Sequence, residues 1–62
     1  MSERVYAVWV VAPHLGSQPR IIPAASSRYW AERVAERHRA AGATAKVVYR
    51  YSFMPDMPWE DA

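Results

Sequence analysis

Val5-Tyr6-Ala7-Val8-Trp9-Val10-Val11 decides how this chain is read, because the run is apolar on both of its alternating sides. In a strand, successive side chains point to opposite faces, which sends Val5, Ala7, Trp9 and Val11 one way and Tyr6, Val8 and Val10 the other. The stretch from Thr44 to Phe53 behaves differently. There Ala45, Val47, Tyr49, Tyr51 and Phe53 share one side, while Thr44, Lys46, Val48, Arg50 and Ser52 make a mixed, wetter one, the pattern of a half-buried strand. Placed in one sheet, the two strands are expected to share a helix-covered face made by the odd-numbered residues of both. Tyr6, Val8 and Val10 then form an apolar strip that needs a cover. A second copy of the chain is the expected cover, and the C-terminal segment, through Trp59 or Met57, is the alternative.

The rest of the chain supplies the other elements. Residues 13–19, Pro-His-Leu-Gly-Ser-Gln-Pro, are turn residues throughout, and Arg20-Ile21-Ile22 before Pro23 reads as a short edge strand returning beside the first. Ser26 or Ser27 supplies an N-cap, a helix runs through Ala41, and Gly42 is its left-handed stop. At 100° per residue Trp30, Ala41, Val34, Ser27, His38, Ala31 and Ala35 form the predicted core stripe, with Tyr29 opposite among Glu32, Glu36 and Arg39. The predicted fold is therefore α+β in the order β-β-α-β. One helix covers one face of a small antiparallel sheet that is extended or covered by oligomerisation. If Ile21 and Ile22 are not a strand, the unit becomes a parallel β-α-β crossover instead. Residues 1–53 make one domain, and 54–62 read as a Pro-rich acidic tail. A chain of 62 residues is near the size at which domains need a staple or a partner.

Signatures of catalysis and of metal binding are missing from the sequence. With no cysteine there is no disulfide, thiolate ligand or thiol nucleophile. His38 is the one titratable group near the centre of the helix stripe, and the only other histidine, His14, sits in a turn with no carboxylate at ligand spacing, so His38 reads as structural. Ser17, Ser26, Ser27 and Ser52 lack a nucleophile elbow, and two glycines build no phosphate-cradling loop. No cofactor is expected. The start of the chain shows no signal-peptide pattern, and the longest apolar run stops at Pro13, far short of a bilayer span, so a cytoplasmic protein without a membrane partner is expected.

Charge supports an alternative function. All eight basic residues but only Glu3, Glu32 and Glu36 of the acidic ones lie in residues 1–53, giving that part +5, while Asp56, Glu60 and Asp61 lie in the tail. A basic body of this kind can contact phosphates through Arg20, Arg28, Arg33, Arg37, Arg39 and Arg50, with Tyr29 for stacking. On helical angles, however, the arginines scatter.

The order Val-Trp-Val-Val, Arg-Ile-Ile-Pro-Ala, then Ser-x-x-x-Ala-Glu-x-Val-Ala-Glu-x-x-x-Ala-Ala-Gly over 27–42, then Lys-Val-Val-Tyr-Arg, resembles small uncharacterised proteins of actinobacteria and their bacteriophages. Seven arginines against one lysine, with eleven alanines, fit a GC-rich genome. The element order also resembles the arm-DNA-binding domain of some phage integrases, although the apolar Tyr6, Val8 and Val10 depart from that family's polar reading face. The resemblance implies a phage accessory or host-interaction role and carries over no functional residues. The resulting expectation is a non-enzymatic homo-oligomeric interaction protein, its surface formed by Tyr6, Val8, Val10, Tyr29, Tyr49, Tyr51, Phe53 and Trp59. A host protein is a further candidate partner. The alternatives are nucleic-acid binding through Arg28, Arg33, Arg37, Arg39 and Arg50, and a small enzyme with its site at a subunit boundary.

Overall fold

The computed structural model describes residues 3–12, 18–24 and 27–62. Strands β1 (Arg4–Val11), β2 (Arg20–Pro23), β3 (Thr44–Tyr51) and β4 (Glu60–Asp61) and helix α1 (Arg28–Ala40) appear in the order β-β-α-β-β. The strands make one antiparallel sheet, ordered β2-β1-β3-β4, with α1 packed on one face. The α+β class and the antiparallel first three strands match the sequence reading. β4 comes from the segment read as a tail and adds a fourth strand beside β3. The expectations for Pro13, His14, Ser17 and Ser26 fall outside the described residues.

Local chemistry accounts for the helix limits. Ser27 takes an extended backbone and its Oγ accepts from the Trp30 amide at 3.4 Å, capping one of the free N–H groups of the first turn. At the other end Gly42 adopts φ 94°, where a β-carbon is disfavoured. The Gly42 amide donates to the Arg39 carbonyl and the Ala43 amide to the His38 carbonyl, both at 3.0 Å, a Schellman stop. Arg37, His38 and Arg39 in the last turn oppose the negative end of the helix dipole.

Register overturns the face assignment expected from sequence. β1 and β3 pair Tyr6 with Tyr49, Val8 with Val47 and Val10 with Ala45, so even-numbered β1 residues share a face with odd-numbered β3 residues. That shared face carries the helix. Val8 and Val10 are buried there with Ala45, Val47, Ala24, Ala31 and Ala35, and Tyr6, Ile22 and Val34 pack around them. They are core residues, not an uncovered strip. The cause is that β1 is apolar on both sides and fits either way up, leaving the amphipathic β3 to choose. A slip of one residue in pairing exchanges the two faces.

The helix stripe is also rotated from its predicted centre. Ala31 and Ala35 are fully buried and Val34 and His38 half-buried, whereas Trp30 and Ala41, which sit together at one margin of the predicted stripe, are exposed. Small side chains at Ala31 and Ala35 let α1 lie close on the sheet, and Val8 is the largest fully buried residue.

The second face is closed by the chain itself. Ala7 and Val48, paired across β1 and β3, are 0% and 2% exposed although they lie away from the helix. Beside them Lys46 Nζ stands 4.9 Å from the Trp9 ring centroid and 2.9 Å from Asp61 Oδ1. Arg50 lies 4.4 Å from the Trp59 ring centroid and donates to the Pro55 carbonyl at 3.0 Å. Trp59 thus provides the C-terminal cover that was the alternative from sequence, but over the face opposite Tyr6, Val8 and Val10.

Candidate interaction surface

Strand edges are the usual place for a sheet to recruit a partner, and here both are blunted. Along the outer edge of β3, the Ala45 carbonyl accepts from Arg39 Nε at 2.8 Å, Val47 from the Ala62 amide at 3.1 Å and Tyr51 from the Met54 amide at 3.0 Å. Tyr49 pairs with Glu60 of β4. The opposite edge is the four-residue β2, preceded by Pro19 and ending at Pro23, and neither proline has an N–H to offer. Extension of the sheet therefore has little free backbone to use, and association is left to the faces.

The aromatic residues mark which face. None of the eight is buried; the buried interior among the described residues is alanine and valine. Trp9 and Trp59 lie under Lys46 and Arg50 on the closed second face. The other six lie on the helix side of the sheet or on α1.

Tyr49, Tyr51 and Phe53 form a ladder at the end of the helix-side face. Tyr49 and Tyr51 meet edge to face at 5.9 Å, and Tyr51 and Phe53 stack at 5.5 Å with 26° between their planes. Phe53 is 67% exposed. Arg4, the partner of Tyr51 in register, holds its guanidinium 4.7 Å from the Tyr49 ring centroid and 6.0 Å from that of Tyr51. The Tyr6 hydroxyl is the largest influence on that guanidinium and raises its pKa; desolvation acts the other way and Tyr51 adds to the rise. Arg4 is thus a permanent cation at the edge of the ladder. The ladder stays partly exposed because a 13-residue helix is about 20 Å long while eight-residue strands reach about 27 Å. The rim carries both signs of charge, since Glu60 lies opposite Tyr49 on the same face as Arg4.

Of the interface residues read from sequence, Tyr49, Tyr51 and Phe53 come together, Tyr6 sits half-buried at the foot of the ladder, and Tyr29 lies apart on α1. Val8 and Val10 are inside and Trp59 is on the other face. Sequence reasoning missed Arg4, Trp30 and Lys46. Alternation puts Arg4 on the side of Tyr6, but only the register of β1 on β3 brings that side to the ladder. The arginines also separate. Arg28 Nε is 3.9 Å from Glu32 Oε1, Arg39 and Arg50 serve backbone carbonyls, and Arg33 donates to the Tyr29 hydroxyl at 3.1 Å. Arg37 is exposed with no ion pair among the described residues.

His38 lines an apolar hollow of about 210 Å³ at the C-terminal end of α1, with Val10, Ile22 and Ala43 among its walls and Arg20 at its margin. Among the described residues no three acidic or histidine side chains gather as a metal site, and no helix is long and apolar enough to cross a membrane. No protein-family model matches the chain, and no curated protein or solved structure matches it either.

Proposed function

We propose that this chain is a non-enzymatic interaction module that pairs weakly with a second copy of itself through Arg4, Tyr49, Tyr51 and Phe53. The observation that carries the reading is the placement of every aromatic residue outside an alanine and valine core, with one stacked run of rings left partly exposed. Tyrosine, tryptophan and arginine are the residues that interfaces concentrate. A two-fold contact must be complementary to itself, and this patch has rings at its centre with a cation, Arg4, and a carboxylate, Glu60, beside them on the same face. Blunted edges and a self-covered second face favour this part of the sheet among the described residues.

Size sets the expected strength. Three partly exposed rings and one guanidinium bury well under the roughly 800 Å² per partner of a standard interface, so the contact belongs with transient ones. A cytoplasmic accessory or host-interaction role is the setting that the resemblance to small phage and actinobacterial proteins suggests, with a host protein as the other user of the same patch. Sedimentation equilibrium from about 10 μM to about 1 mM tests the reading across the micromolar-to-millimolar range of dissociation constants. The expected result is a rise toward twice the chain mass that Phe53→Glu abolishes. A particle of one chain's mass throughout that range sinks it.

A further inference from the structure

α1 carries a second exposed surface whose chemistry differs from that of the ladder, and its assignment does not rest on self-association. Tyr29 and Trp30 are 60% and 57% exposed and meet edge to face at 5.5 Å. Arg33 donates to the Tyr29 hydroxyl and holds its guanidinium 5.8 Å from that ring's centroid. At 100° per residue, Tyr29, Ala40, Arg33, Arg37 and Trp30 fall in that angular order within an arc of about 100°. The arc contains no carboxylate; Glu36 and then Glu32 lie beyond its Tyr29 edge. From this arrangement of two touching rings followed along one side of the helix by two guanidinium groups we infer that Tyr29, Trp30, Arg33 and Arg37 form a binding site for single-stranded nucleic acid.

The structure narrows the arginines available to this arc to two, with Arg20 exposed but standing apart on β2. Arg4 is held over tyrosines, Arg39 and Arg50 are spent on the Ala45 and Pro55 carbonyls, and Arg28 stands beside Glu32. Arg33 has only the Tyr29 hydroxyl as a hydrogen-bond partner among the described residues, and Arg37 is exposed without an ion pair among them. Exposed rings offer stacking to bases of any sequence, and guanidinium groups one and two turns further along the helix answer the phosphates, which is how single strands are held without sequence preference. From Trp30 to Arg37 the helix rises about 10 Å, room for about three nucleotides at roughly 3.4 Å each. A second copy fits this arc poorly, since a two-fold contact sets the same unpaired cations against each other.

Fluorescence anisotropy of a labelled oligothymidylate of about 12 nucleotides, within the usual span of single-strand sites, tests the inference with the full chain. Binding is expected with log K falling against log salt at a slope of about −1.4, two phosphates at about −0.7 each. Trp30→Ala should weaken it by about tenfold. Arg33→Gln and Arg37→Gln should each flatten the slope by about 0.7. Arg50→Gln, on the other face, should leave affinity unchanged. All four positions lie outside the core, and circular dichroism verifies that each variant folds. Absence of binding at about 50 mM salt overturns the inference, since phosphate contacts are strong there. So does binding indifferent to Trp30→Ala and to the two arginine variants. If those variants instead lower the particle mass with no oligonucleotide bound, the arc belongs to a second copy and the inference fails.

Discussion

The two faces of the sheet are closed by different physics, although the same strand, β1, presents apolar side chains to both. On the helix face, Val8 and Val10 meet Ala31 and Ala35 with Ala45 and Val47, hydrocarbon against hydrocarbon. On the other, Ala7 and Val48 lie flanked by Trp9, Lys46, Arg50, Trp59 and Asp61, two of them cations over indole rings. The first closure is apolar and offers no charge for salt to screen. The second draws on weaker forces, cation–π contacts worth roughly 0.5–1 kcal/mol at exposed sites and an ion pair whose side chains are 48% and 75% exposed. A small chain with one helix can shield both faces only if its C-terminal segment serves as the second layer.

Substitutions on the two sides sharpen that contrast. Val8→Glu places an unpaired carboxylate at a fully buried site beneath α1, and loss of several kcal/mol, enough to unfold so small a domain, is expected by urea denaturation followed by circular dichroism. A well-folded Val8→Glu protein would show that the helix does not own this face. Trp59→Ala removes the ring under Arg50 and should cost about 1 kcal/mol, with faster amide exchange at Val47, Val48 and Tyr49 as β4 loosens. Equal protection in both proteins would mean that the C-terminal segment holds without its tryptophan. Lys46→Met keeps the hydrocarbon stem over Trp9 but deletes the charge, and the expected loss is about 0.5 kcal/mol or less, vanishing near 1 M salt. A loss that persists at high salt assigns the role of Lys46 to packing.

What the sequence revealed follows how local each signal is. The Ser27 cap, the Gly42 stop and the short β2 between prolines were legible because each depends on a few neighbouring residues. β4 was not: two acidic residues after Pro58 and Trp59 have no strand character of their own, and they pair only because β3 presents its edge and Lys46. The arginines were countable but not assignable, since Arg39 and Arg50 find backbone carbonyls, which carry no signature in sequence. Within the ladder, Tyr49, Tyr51 and Phe53 were placed on one side by alternation alone, while Arg4 joined them only through register.

By itself the amino-acid order determined the α+β class, the antiparallel course of the first three strands, the helix ends and a basic body with an acidic C-terminal segment, because period, caps and charge are written residue by residue. Only the tertiary structure decided which side of β1 the helix takes. A strand apolar on both sides has no preference to read, and the choice is made by pairing with β3, whose single apolar side must be buried.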